Sequence, residues 1–290
     1  MEIRPECVPC LLKRVLFQSE LVGNGREYES LSAAMGTFAE LFGRGMNSAA
    51  VATEVHRSSY GALGSEDPYL NLKIRADAVA GEYLPLAEEL VAASGDRFRA
   101  AVTLAVIGNI MDFGSDIAAI DCPEEFRGLF HHMLGQGIGS DDTELFRDAV
   151  KKAVTVIYVF DNCGESQLDK VLIREIRAAG ARVIGVVRGA PILNDVSRED
   201  AVRIGLDREL DLMLDTGGFS IGLDLSMAGE ELLREIAGAD LLVAKGMANY
   251  EALSERDPGP PVVHLLRSKC VPVSESLGVP LDINVVRFRQ

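Results

Sequence analysis

Thr155-Val156-Ile157-Tyr158-Val159-Phe160 is a run of β-branched and aromatic residues that ends abruptly at Asp161-Asn162-Cys163-Gly164-Glu165. A short apolar run without polar alternation reads as a strand buried on both faces, the kind found in parallel sheets. Asp161 and Asn162 set two short oxygen-bearing side chains at its carboxyl end, Gly164 lets the backbone turn, and Ser166 to Arg177 reads as a helix. In open α/β sheets, ligands bind in the crevice outside the carboxyl ends of the strands, and the next helix N-terminus offers N–H groups to an anion. A carboxylate–amide pair facing such a turn suits a hard metal ion with a phosphate beside it. Taken alone, Asp161 fits a helix N-cap or a loop position equally well.

The rest of the chain extends this frame. Candidate strands cover Val154 to Phe160, Arg182 to Val187, Leu210 to Leu214, Leu241 to Ala244, Val262 to Leu266 and Ile283 to Phe288, with helical segments between most of them. That alternation predicts an α/β fold with a doubly wound, mostly parallel sheet. Residues 11 to about 104 carry helical periodicity and little strand signal. Ser30 to Leu41 and Ser48 to Ala62 are amphipathic, Asn71 to Leu90 is expected to kink near Pro85, and Asp96 is placed to cap Arg97 to Val106. The expected organisation is an N-terminal all-helical lobe over residues 1–150 and an α/β metal- and phosphate-binding domain over residues 151–290. Asp141-Asp142-Thr143-Glu144 looks like a capping box for a helix to Lys152. Gly135-Gln136-Gly137-Ile138-Gly139-Ser140 lacks the preceding strand that a dinucleotide fingerprint needs.

Composition narrows the function. The 29 Lys+Arg against 44 Asp+Glu give a net charge of -15, which argues against a nucleic-acid partner but leaves room for a local basic pocket. No apolar run approaches the roughly 18 residues needed to cross a bilayer. Met1-Glu2-Ile3-Arg4-Pro5-Glu6 lacks the apolar core of a signal peptide, so the expected location is cytoplasmic, away from membranes. Five Cys are an odd count that argues against a disulfide framework. Cys7-Val8-Pro9-Cys10 could supply half of a zinc or iron–sulfur site or act as a redox pair, yet Cys122, Cys163 and Cys270 are scattered singly. His56 reads as a core or surface residue, and the adjacent His131-His132 make a poor joint chelate.

Four more polar clusters follow candidate strands. Asn194-Asp195 repeats the carboxylate–amide pairing of Asp161-Asn162, Asp215-Thr216-Gly217-Gly218 comes next, and Lys245-Gly246-Met247-Ala248-Asn249-Tyr250-Glu251 and Arg267-Ser268-Lys269-Cys270 end the series. Oxygen ligands and fixed cations around one sheet edge point to a hard metal and a phosphate group. Upstream, Asn109 and Asp112 stand three apart between Gly108 and Gly114, where a backbone can approach a ligand closely.

These motifs, together with Pro191-Ile192-Leu193-Asn194-Asp195, resemble in order and approximate spacing those of the metal-dependent damage-control phosphatases, long filed as domain of unknown function 89. Gly108-Asn109-Ile110-Met111-Asp112 resembles the family's earlier Asn/Asp motif, and Cys7/Cys10 resembles the pair of its prokaryotic branch. The resemblance spans most of the chain. It implies a phosphoric monoester hydrolase acting on a small phosphorylated metabolite, such as a sugar phosphate or a damaged phosphometabolite. Its divalent metal, Mg²⁺, Mn²⁺, Co²⁺ or Ni²⁺, would be held by Asp161, Asn162 and Asp195. Lys269, Asn249 and Glu165 would meet the phosphate or its surroundings, with Asn109, Asp112, Lys245 and Glu251 completing the substrate-binding set. Cys163 replaces the Ala of many members, and Arg267-Ser268-Lys269-Cys270 departs from the Arg-Thr-x-Lys form of the eukaryotic branch. The nucleophile stays open between a metal-bound water, with Asp112 or Glu165 as general base, and direct attack by Asp161. The haloacid-dehalogenase pattern would need an Asp where Cys163 stands. Two rival readings make different demands. A Rossmann-like methyltransferase or nucleotide-binding enzyme needs a Gly-rich turn after the first strand, where 161–165 has one Gly. A non-enzymatic metal-binding module on Cys7 and Cys10 would have no phosphatase activity.

Overall fold

The computed structural model describes residues 1–114 and 120–290. The periodic N-terminal segments fold as helices α1 (Cys7–Val22), α2 (Glu27–Leu41), α3 (Ser48–Leu63), α4 (Leu70–Gly81), α5 (Leu84–Ala93) and α6 (Arg97–Ile107). Asp96 caps α6, accepting the Arg99 N–H at 3.0 Å. The helix expected over Asn71 to Leu90 is two helices rather than one kinked helix. Pro85 has no N–H to donate to the Gly81 carbonyl and its ring would clash there, so the chain restarts with Pro85 in the first turn of α5.

Helix α7 (Phe126–Gln136), strand β1 (Ser140–Asp141) and helix α8 (Thr143–Lys152) follow. The expected capping box does not form. The Asp142 carboxylate accepts from Phe288 N at 2.9 Å, and Asp141 accepts from Thr143 N instead. The alternating half contains β2 (Thr155–Val159), α9 (Glu165–Ala178), β3 (Arg182–Val187), α10 (Arg198–Arg203), β4 (Leu212–Asp215), α11 (Glu230–Ala237), β5 (Leu241–Lys245), α12 (Gly246–Leu253), β6 (Val262–Arg267), α13 (Val271–Leu277) and β7 (Asn284–Arg289).

The strands form one sheet in the order β1-β7-β6-β5-β2-β3-β4. All neighbours run parallel except β6 and β7. Period-two alternation sends Val156, Tyr158 and Phe160 into one core, and Ile157 and Val159 into another with Ile184, Val186, Leu232 and Ile236. Both faces of β2 are therefore covered, as the apolar run requires. The first core runs from Ala49 to Val286, so the helical segment and one sheet face share it across residue 150. No helix among the described residues is long and apolar enough to cross a membrane. The strand order reverses between β2 and β5, so the carboxyl ends of these two strands open a topological switch-point crevice.

Candidate active site

Asp161 and Asn162 leave the end of β2 directly into that crevice. Asn162 forms an isolated bridge with Asp195, which brings the two carboxylate–amide pairs together. Gly246, the first residue of α12, has φ +73°, and a Cβ there would run into the Asp161 carboxylate, so the close approach of β5 to Asp161 requires glycine. Gly164 has φ +81° and is wedged against Met111 and the Ala76 carbonyl.

Asp161, Asn162, Asp195, Asp112, Lys269 and Glu251 line one cavity of about 310 Å³. The other expected site residues lie behind its wall. Asn109 donates to Asp161 at 3.2 Å and to Glu165 at 2.9 Å, while its carbonyl oxygen accepts from Arg267 N. Asn162 donates its amide to the same Asp161 and Glu165 oxygens, at 2.8 and 3.0 Å. Only the N–H₂ end of an amide can serve two carboxylates, so the Asn162 carbonyl oxygen is turned away from them, as a cation ligand must be. Asn249 ties β2 to α12 by donating to the Phe160 and Lys245 carbonyls, and accepts from Arg188 at 3.2 Å.

Lys245 does not line the cavity. It is fully buried beneath it, with its three N–H groups on Glu165, on Asp169 at 2.6 Å and on the Ala105 carbonyl at 2.9 Å. The expectation of direct substrate contact therefore gives way to a clamp between β5 and α9. Two of the backbone N–H groups expected to cradle an anion at the turn into α9 are also taken. Gly164 N–H donates to Asp77 at 2.7 Å and Ser166 N–H to the backbone carbonyl of Asn162. The 135–140 stretch forms the turn into β1, and His56 is a core residue hydrogen-bonded to Gln18.

Two arginines complete the electrostatics. Arg188, 1% exposed, reaches Asp195 at 2.5 Å and Asp161 at 3.4 Å. Arg14 from α1 meets one oxygen of Asp112 at 2.7 Å, and Lys269 meets the other at 3.0 Å. Burial pushes the Asp161 carboxyl well above its ordinary range, Asp195 and Glu165 push it further, and Arg188 only partly opposes them. Burial raises Asp195 as well, against the pull of Arg188. Buried carboxylates that resist ionising side by side, next to an outward-turned amide oxygen, fit a hard divalent cation. Among the described residues no group of three His, Cys, Asp or Glu side chains could hold a metal, so the fit rests on these two carboxylates and the amide.

The matched family model is the damage-control phosphatase ARMT1-like domain, over residues 3–285. The chain belongs to this family. It is 37% identical over 281 residues to a damage-control phosphatase of Archaeoglobus fulgidus, covering 96% of each chain. It is 29% identical to a damage-control phosphatase of Pyrococcus horikoshii, over 97% of this chain and 96% of the relative. The crystal structure of a domain-of-unknown-function-89 protein from Pyrococcus horikoshii superposes with a TM-score of 0.87 at 27% identity, over the whole of both chains. The methyltransferase and non-enzymatic readings give way to this membership. The Cys7 and Cys10 thiols nevertheless belong to the site, since both line the cavity with Cys270. Arg188 and Arg14 were not among the expected site residues. Arg188 carried a signal, because it directly follows a strand in the Asn194-Asp195 cluster. Arg14 carried none, because nothing local marks one charge of a surface-like helix as buried.

Proposed function

We propose that this phosphatase hydrolyses small phosphate monoesters with a divalent cation, Mg²⁺, Mn²⁺, Co²⁺ or Ni²⁺, held by Asp161, Asn162 and Asp195. On this reading it works in the cytoplasm on a small phosphorylated metabolite, away from nucleic acid and membranes, and the Cys7/Cys10 pair supports membership of the prokaryotic branch. The supporting observation is the pairing of two buried, ionisation-resistant carboxylates with Lys269 across one cavity. Bound there, the cation would supply Lewis acidity to a phosphoryl oxygen and to an attacking water. Lys269 meets the non-bridging phosphate oxygens as a point charge. Arg188 keeps Asp161 and Asp195 aligned, and Asn109 and Glu165 fix Asp161 and Asn162 from behind.

The candidates for general base and nucleophile separate on geometry. Burial alone would lift the Asp112 carboxyl, but Arg14 and Lys269 outweigh it and hold Asp112 below its ordinary range. Asp112 therefore orients cations and is a weak proton acceptor. Glu165 is fully buried behind the two amides, out of reach of a water in the cavity. Asp161 has both oxygens engaged, by Asn109 and Asn162 on one and Arg188 on the other, which suits a ligand better than a nucleophile. Apolar side chains, Leu193, Ile221, Met247 and Leu281 among them, line the cavity beyond the polar groups and take the organic part of the ester.

Metal-supplemented hydrolysis of a phosphate-ester panel tests this reading. Asp161→Ala and Asp195→Ala should each lower turnover by about 10²-fold or more while the protein stays folded by circular dichroism. Full metal-dependent turnover in either variant would remove that residue from the metal site.

A further inference from the structure

Helix α1 presents Cys7, Cys10, Leu11 and Arg14 to the cavity, the i, i+3, i+4, i+7 spacing of one helical face. Its placement is over-determined. Val15 packs with Ala34, Phe38, Val51 and Val55 of α2 and α3. Buried Gln18 joins Ser59 and His56 of α3, and the N-terminal amine donates to the Glu251 carbonyl at 2.6 Å. So anchored, α1 brings Arg14, 14% exposed, to the same carboxylate that Lys269 holds.

Asp112 lies between two cations that both line the cavity, Arg14 on one oxygen and Lys269 on the other. The other charged side chains on this wall among the described residues, Glu6, Asp161, Asp195 and Glu251, are carboxylates, so Arg14 and Lys269 are the cations there that an incoming phosphate can meet. A guanidinium presents two parallel N–H groups that match two phosphate oxygens, while the lysine ammonium offers a point charge. We propose that Arg14 is a second phosphate-binding cation, carried into the cavity by α1 and held with Lys269 on Asp112 until a substrate phosphate takes over both. The N-terminal helical segment is then part of the active site. This inference rests on the phosphate-ester reading of the cavity and adds to it.

Inorganic phosphate, the product, is the probe, with its competitive inhibition constant measured on the metal-loaded full-length enzyme. Arg14→Met should weaken phosphate inhibition by about 10-fold or more, the scale of one lost charge-assisted contact. It should raise KM and leave Mn²⁺ affinity without substrate unchanged. Arg14→Lys should recover part of the loss. Asp112→Asn discriminates even if Arg14→Met folds poorly, because it frees both cations. On the proposal Asp112→Asn binds phosphate as tightly as the parent or more so. If Arg14 only braces the fold through Asp112, both variants lose phosphate affinity together, and the proposal falls. An unchanged inhibition constant in a folded Arg14→Met protein also overturns it and leaves the phosphatase reading intact. A parent enzyme with no metal-dependent hydrolysis and no phosphate inhibition would overturn both.

Discussion

At the scale of single residues, two lysines at neighbouring strand ends have opposite roles. Lys269 faces the cavity beside Asp112, whereas Lys245 is enclosed by Glu165, Asp169 and a carbonyl. Lys269→Met should cut phosphate-ester turnover by about 10²-fold with metal affinity little changed. Lys245→Met removes the only cation that Glu165 and Asp169 pair with among the described residues, and breaking a buried ion cluster in this way costs about 3–5 kcal/mol. Its readout is stability, and a urea midpoint equal to that of the parent would end the clamp assignment. The difference comes from which face of the sheet the helical segment covers. Lys245 has the same parity along β5 as Leu241 and Val243, which enter the core shared with the helical segment, so its side chain turns to that face.

At the scale of elements, the site is a junction of β2, β5 and the turn after β3, drawn together so tightly that one methyl group would not fit. Gly246 lies against Asp161 in a left-handed conformation. Gly246→Ala therefore meets two penalties, a strained φ and a steric clash with a metal-site carboxylate. It should abolish Mn²⁺ binding by calorimetry and lower the melting temperature. Intact Mn²⁺ binding would mean that α12 can shift without disturbing Asp161. The N-terminus of α9 shows the same economy, since Asp77 from α4 accepts the Gly164 N–H and occupies the anion position that a phosphate was expected to use.

At the scale of the whole molecule, acid should unfold this protein partly through two core histidines. Burial, helped by Arg14, lowers the pKa of His56 to about 3, and burial with Arg289 does the same to His264. Both ring nitrogens of His264 lack a hydrogen-bond partner among the described residues, and its ring packs edge-on against Tyr250. An imidazole whose folded pKa lies below its unfolded value takes up its proton first in the unfolded state. Stability is therefore lost as pH falls from 6.5 towards about 3, by about 1.4 kcal/mol per pH unit for each histidine. His264→Phe keeps the ring contact and removes the proton site, so its urea midpoint should fall less than the parent's between pH 7 and pH 4.5. Equal falls would exclude His264 as a source of acid sensitivity.

The α/β class, the positions of every strand except the short β1 and the order of the site motifs were determined by the sequence alone. Hydrophobic period is a local property, and in a parallel sheet the carboxyl ends of strands gather at one edge whatever the loops do. Asp161, Asn162, Asp195 and Lys269 were legible for that reason, as residues that follow apolar strands. Only tertiary structure decided which charges face the cavity and which lie under it. Asn109, Glu165 and Lys245 stand within motifs as prominent as the others, yet they spend their hydrogen bonds on one another. Arg14 lies 98 residues from the Asp112 it meets, on a helix whose pattern shows an apolar face but not what covers its polar one. A side chain's burial and partners depend on which distant element packs over it, and no local periodicity encodes that contact.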